Sequence, residues 1–239
     1  MDNASYTALT RQSGLMHEMQ VLANNIANAS TDGFRAEKVM FAEHVKALGP
    51  DADSLSMATA TVRDTVMSQG SLGQTGGAFD LAIEGEGFFL IETAAGQRLT
   101  RAGAFRPNEN GDLVTADGNR VLDAGGAPVF VPQGVGRVGI APDGTMSAGG
   151  QPIGQIGLFL PTDPTQMVRE SGVLFDARGG FEPTLDGRMM QGFLEASNVD
   201  PILQVSRMIE VQRAYELGQS FIDKEDERIR SVIEAIRSR

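Results

Sequence analysis

The 239-residue sequence has no cysteine and no tryptophan, and only two tyrosines and two histidines. Without cysteine there is no disulfide, no thiolate nucleophile and no Cys-ligated metal. The histidines do not fill the gap. His17 opens His17-Glu18-Met19-Gln20-Val21, which lacks the second histidine of a zinc-protease helix, and nothing near His44 in the sequence pairs with it. No apolar run approaches the ~18 to 20 residues needed to span a bilayer, so no membrane insertion is expected. The opening Met1-Asp2-Asn3-Ala4-Ser5-Tyr6 has neither the basic nor the apolar stretch of a cleaved export signal. Basic charge is also scarce: 20 Lys and Arg stand against 31 Asp and Glu, a formal net charge of −11. By segment the balance is −3 over residues 1–79, −7 over 80–199 and −1 over 200–239. With no basic cluster, a phosphate backbone is repelled, and no nucleic-acid partner is expected.

Catalytic motifs are missing as well. Asn108-Glu109-Asn110-Gly111 has the outline of a calcium loop, but Arg106 occupies the first ligand position. Gly150-Gln151-Pro152-Ile153-Gly154 is not followed by the Lys-Ser or Lys-Thr of a phosphate loop, and no Gly-x-Ser-x-Gly elbow occurs. The expectation is a protein with no catalytic residue, no cofactor and no metal, and hence no enzyme.

What the chain does have is two ends of one kind and a middle of another. Residues 5–29 and 201–237 both read as long amphipathic helices, which at 1.5 Å per residue would be about 37 Å and 55 Å long. In the first, Leu15, Met19, Leu22 and Ile26 follow a 4-3-4 spacing, extended backwards by Gln12 and Ala8. That seam is narrow enough for coiled-coil packing. It runs into Ala23-Asn24-Asn25-Ile26-Ala27-Asn28-Ala29-Ser30-Thr31-Asp32-Gly33-Phe34, where three asparagines fall in five positions. Asn24 and Asn28 are four apart on one face, and two readings stay open. They either hydrogen-bond to neighbouring backbone across small alanines, or only prepare the stop at Thr31-Asp32-Gly33.

The second helix begins with Asp200 as N-cap and Pro201 at the first helical position, a capping box from Ser197 to Asp200 being a slightly earlier alternative. Met208, Val211, Tyr215, Gly218, Ile222, Glu225, Ile229, Val232 and Ile236 then keep a strict 3-4 alternation. Leu203, Val205, Ile209 and Phe221 form a second stripe off that seam. A single helical hairpin cannot bury both. The second stripe meets either the chain's own globular core or other copies of the chain.

Between the helices, residues 79–195 read as short strands punctuated by Gly, Pro, Asn and Asp. Phe79–Glu84 alternates, Gly85-Glu86-Gly87 turns, and Phe88–Ile91 follows as a return strand. Further turn signals stand at Asn110-Gly111, Asp117-Gly118, Gly125-Gly126, Asp143-Gly144 and Gly149-Gly150. The fold class is α+β. Terminal helices in 1–34 and 197–239 pair as a coiled-coil-like stalk, and 35–78, with Pro50-Asp51-Ala52-Asp53, is an extended or irregular connector. Residues 79–196 form an inserted, antiparallel, partly barrel-like β domain.

Three motifs now resemble a known family. Leu22–Phe34 is similar to the N-terminal signature of the bacterial flagellar rod and hook proteins. Ala78–Phe89, followed by Leu99-Thr100-Arg101-Ala102-Gly103-Ala104-Phe105, resembles the core signature of that family. Glu195-Ala196-Ser197-Asn198-Val199-Asp200 and Met208–Glu216 resemble its C-terminal signature. The resemblance implies a structural subunit of the basal-body rod, exported unfolded by the flagellar type III apparatus. It would polymerise through its terminal helices into a periplasmic tube that transmits torque and conducts exported subunits. The opening Met1–Leu9 looks most like proximal-rod members, with distal-rod members next. A secreted filament subunit outside the flagellum is a weaker alternative. Implied partners are other copies of the chain, other rod proteins and the export apparatus. The residues expected to form the assembly interface are Leu15, Met19, Leu22 and Ile26 with Asn24, Asn25 and Asn28 in the first helix, and Gly33, Phe34 and Asn198 at the turns. Met208, Val211, Tyr215, Ile222, Ile229, Val232 and Ile236 complete it in the second helix.

Overall fold

In a computed structural model the backbone is described for residues 3–46 and 55–237, and the side chains for 7–40 and 64–237. The Pro50-Asp51-Ala52-Asp53 turn signal lies outside the described residues. The chain divides into two units, one of residues 1–27, 36–66 and 199–239, the other of 28–35 and 67–198.

The first unit holds helix α1 (Asn3–Ala27), helix α2 (Pro201–Arg237) and an antiparallel ladder of β1 (Glu37–Lys46) with β2 (Leu55–Thr65). The stretch read as a connector therefore contributes a long two-stranded ladder, with a bulge between Met40 and Phe41. Helix α2 starts where its sequence signals place it. Asp200 Oδ1 accepts from the N–H groups of Ile202 and Leu203 at 3.0 and 3.1 Å, and Pro201 needs no partner for a missing N–H. The two helices run antiparallel. Leu15, Leu22 and Val211 are buried together, with Met19, Met208, Ala214 and Tyr215 packed around them. Gln12 Nε2 donates to the Tyr215 carbonyl at 3.1 Å, and Arg207 Nε pairs with Glu18 Oε1 at 2.9 Å. Gly218 makes room for this: a Cβ there would come within 2.9 Å of Gln12 Nε2.

The second unit is built from antiparallel strands around Phe88–Thr93. That strand pairs with Gly96–Thr100, with Arg120–Val121 and, at its first two residues, with Leu158–Pro161. Its run of apolar residues is explained by burial on both faces. Phe89 and Ile91 enter one cluster with Leu81, Ile83, Leu113 and Val121, whereas Phe88 and Leu90 enter another with Leu99, Phe159 and Phe175. The period of two along a strand sorts neighbouring residues into two cores. A separate three-stranded sheet, Val138–Ile140, Thr145–Ala148 and Gln151–Gln155, closes one side of the first cluster through Val138, Ile140 and Met146.

The sheet is open and branched at Phe88–Thr93, and no closed barrel forms among the described residues. One expectation changes here: Phe79–Glu84 does not form a hairpin with Phe88–Ile91. Its ordered part, Leu81–Glu84, pairs with the distant Arg188–Gln191. The reason lies in Gly85-Glu86-Gly87, where both glycines take positive φ (92° and 130°) and the chain leaves the first strand's plane. Leu81, Ala82 and Ile83 are all buried, so a one-sided alternating hairpin would have left Ala82 on the wrong face.

Phe89 is fully buried and meets Phe105 edge to face at 5.1 Å between ring centres. Truncation to Phe89→Ala is expected to destabilise the second unit by about 3–5 kcal/mol, read as a lower midpoint in urea unfolding. Leu185→Ala, at a side chain 90% exposed, should change it by less than about 0.5 kcal/mol.

Candidate assembly surface and its buried ion cluster

The Asn-rich motif ends α1 and enters the second unit. One asparagine of the motif, Asn25, is 1% exposed and makes long-range bonds. Its Nδ2 donates to the Glu37 carbonyl at 2.8 Å while its Oδ1 accepts from the Glu37 N–H at 2.9 Å. The side-chain amide thus pairs with a peptide group as a neighbouring strand would, and fixes α1 to the start of β1. The same Nδ2 donates to Gln204 Oε1 of α2 at 3.2 Å. Asn24 is exposed, and Asn28 is half-buried, its Oδ1 accepting from the Thr31 hydroxyl at 3.3 Å. Asn25 thus bridges α1 to β1 and α2. It shares a face with Leu22 three positions earlier, and that face is turned inward.

Gly33 follows with φ +71°, and a Cβ there would lie 2.3 Å from the Ala102 nitrogen, so only glycine fits. Its N–H donates to the Glu195 carbonyl at 2.7 Å. Phe34, 1% exposed, lies under the Arg169 guanidinium at 4.4 Å, and its carbonyl accepts from the Asn198 N–H. Asn198 Nδ2 donates to the Ser68 carbonyl at 2.8 Å. Gly33, Phe34 and Asn198 are thus brought together.

They surround a group that pattern reading misses. The Glu195 carboxylate, 1% exposed, accepts from Arg35 Nη2 at 2.9 Å, from the Gly70 N–H at 2.9 Å and from Arg101 Nη1 at 3.1 Å. Arg101 also donates to the carbonyls of Ile83 and Gly85, and Arg35 to that of Ser68. Burial lowers the Arg101 pKa to about 10 against the opposing pull of Glu195, and the like charge of Arg35 pushes the same way as burial. Arg35 is lowered too, again by burial first. One signal was available in the sequence: Arg35, Arg101 and Glu195 are charged residues inside or beside otherwise apolar and small-residue motifs.

The helical seam divides in two. Leu15, Met19 and Leu22 meet Met208, Val211 and Tyr215, while Ile26 and Ile222 are half-buried. Val211 is the single buried residue in the 37 of α2. The pairs Gln12–Tyr215 and Glu18–Arg207 set a register in which α1 runs out near Lys224. Beyond it Ile229, Val232 and Ile236 are 38%, 49% and 70% exposed. Ile202, Leu203, Leu217 and Phe221 are exposed as well. Exposed apolar residues thus recur along most of the length of α2. Among the described residues no group of acidic or histidine side chains could hold a metal ion, and no helix is long and apolar enough to cross a membrane.

Long terminal helices with exposed apolar residues, and a β-rich unit with its own cores, are the features of a structural subunit made to assemble. Comparison with known proteins agrees. Residues 6–35 match the flagella basal body rod protein family, 82–148 the D1 domain of the flagellar hook protein FlgE/F/G family, and 190–235 the C-terminal region of the flagellar basal body rod FlgEFG family. The flagellar basal-body rod protein FlgF of Caulobacter vibrioides is 39% identical over 243 residues, covering 99% of this chain and 98% of that protein. FlgF of Mesorhizobium japonicum is 40% identical over 90% of both, and the rod protein FlgG of Bacillus subtilis 31% identical over 95% of this chain and 97% of its own. The chain belongs to the flagellar basal-body rod protein family. Within it the chain is most like FlgF, and it is a structural rod subunit, not an enzyme.

Asn25→Ala would remove both of its hydrogen bonds to the Glu37 peptide groups, at about 1–3 kcal/mol for each buried group. Unfolding of the helical unit should reveal this as a lowered midpoint. Asp32, in the same turn, has a pKa raised by burial and then by the charge of Asp80. The charged form is therefore penalised in the folded chain at neutral pH. Asp32→Asn should raise the thermal midpoint at pH 7, and the gain should fade as the pH falls through the raised value towards the ordinary 3.8, where both states are protonated. A gain undiminished at about pH 3 would point to a cause other than charge.

Proposed function

We propose that the chain polymerises in the proximal rod by lateral packing of its terminal helices against copies of itself and other rod proteins. One observation carries the reading: the heptad seam of α2 continues through Ile229, Val232 and Ile236 after α1 has ended. An uncovered isoleucine or valine forgoes roughly 1.5–3 kcal/mol of burial, and a coiled-coil-like arrangement with neighbouring helices recovers it at every copy. The predicted interface residues then act in three groups. Leu15, Met19, Leu22, Ile26, Met208, Val211, Tyr215 and Ile222 hold one subunit's helices in register. Asn24, Ile229, Val232 and Ile236 face the neighbours, and Asn25, Asn28, Gly33, Phe34 and Asn198 set the turns that orient them.

Export by the flagellar type III apparatus without a cleaved signal, and a periplasmic position in the torque-transmitting, subunit-conducting tube, complete the proposal. Greater similarity to FlgF than to FlgG favours the proximal over the distal rod. Ile229→Asp places a charge in the open seam without touching either β core. Basal bodies purified from cells carrying this variant should lack the subunit, while its secretion and the urea midpoint of the β-rich unit stay as in the native protein. Normal incorporation of Ile229→Asp chains would remove this part of α2 from the assembly surface.

A further inference from the structure

Helix α2 carries two open apolar surfaces, and they lie on different sides of it. The first is the seam that outlasts α1, where Ile229, Val232, Ile233 and Ile236 are exposed after Lys224. The second is a row at four-residue steps, Val205, Ile209, Arg213, Leu217 and Phe221, all exposed and four of the five apolar. Its middle member is two residues from Val211, which is buried against α1. Two residues turn the helix by about 200°, so the row runs over the side facing away from α1. Steps of four residues make a ridge inclined to the helix axis, of the kind that packs into a groove of a second helix.

The two surfaces complement each other. Arg213, the charged member of the ridge, is exposed and makes no ion pair among the described residues. The open seam is preceded by two acidic residues, Glu225 and Asp226. Copies arranged in a tube run in one direction. With Arg213 of one copy beside Glu225 and Asp226 of the next, the parallel helices are offset by about twelve residues, or ~18 Å. That offset sets Leu217 against Ile229, and Phe221 against Val232 and Ile233. The register that pairs the charges is therefore also the register that covers the apolar residues.

We propose that the open seam of α2 in one copy docks on the far-side ridge of α2 in the next copy. Such a contact joins unlike surfaces, so two copies do not satisfy each other, and a free ridge and a free seam remain at the ends of every row. The inference rests on the reading that α2 is an assembly surface, and adds which face of the neighbour the seam meets.

The natural sequence contains no cysteine, so introduced thiols report this contact without background from the chain itself. Leu217→Cys and Ile229→Cys are made singly and together, each as the sole copy in cells, and purified basal bodies are treated with a short bismaleimide. Both side chains are exposed, so the fold tolerates the changes. The two sites are about 18 Å apart along one helix, too far for one chain to bridge itself. The double variant should give a ladder of dimers and higher multimers, and each single variant only monomer. Dimers from Leu217→Cys alone would mean that ridge meets ridge, and would overturn the proposal. So would a double variant that enters the rod at the native level and stays monomeric. Phe221→Cys with Val232→Cys tests the same register if the first pair lowers incorporation, and loss of the ladder there has the same meaning. The broader reading fails separately: Ile229→Asp chains that enter basal bodies normally remove α2 as an assembly surface, whereas their exclusion together with a missing ladder removes the ridge contact alone.

Discussion

The buried carboxylate of Glu195 is the constraint on which the β-rich unit depends. A carboxylate removed from water is tolerated only when its lone pairs are matched, and the matching groups come from three distant places in the chain. Arg35 ends the turn after α1, Gly70 precedes the strand Leu72–Gln74, and Arg101 ends the strand Gly96–Thr100. Each would be left with an unpaired charge or an orphan N–H if the others were misplaced. The cluster adds little net stability, because desolvation offsets most of the Coulomb attraction, but it penalises every wrong register. The backbone of Glu195 extends the same control, since its carbonyl receives the Gly33 N–H and its strand pairs with Leu72.

The helical unit lives under the opposite constraint, a shortage of burial. Helix α2 is half as long again as α1, and only Val211 is fully removed from water. Its few internal ties are polar and specific: Asn25 to the backbone of Glu37, Gln12 to the backbone of Tyr215, Arg207 to Glu18. Such ties set the helices' direction and register at small net gain, and leave the larger hydrophobic gain unrealised. A subunit of this kind is oriented before it is stabilised. That order suits the proposed assembly, in which neighbours would supply part of the final stability.

Much of this was legible in the residues. The start of α2 at Pro201, the 3.5-residue period of its seam and the antiparallel character of the middle follow from local chemistry: an Asp-Pro cap, heptad spacing, and turn dipeptides between short apolar runs. The failed hairpin at Phe79–Ile91 was not legible. Its sequence fits a return strand, and only the positive φ of Gly85 and Gly87 and the distant partner Arg188–Gln191 decide otherwise. The bonds of Asn25 to the Glu37 peptide groups were not legible either, because they depend on its face being turned towards β1.

By itself, then, the sequence determined the kind of protein this is: helices at both ends, strands between, and three motifs of the flagellar rod family in their family order. These are properties of neighbouring residues, set by period, capping and turn preference over a few positions. Tertiary structure alone decided that the sheet branches at Phe88–Thr93 without closing, that Glu195 gathers Arg35 and Arg101, and that α2 outruns its partner after Lys224. Each of those depends on residues tens to well over a hundred positions apart, whose meeting is fixed by the burial of charge and apolar surface across the whole chain and leaves no local pattern to read.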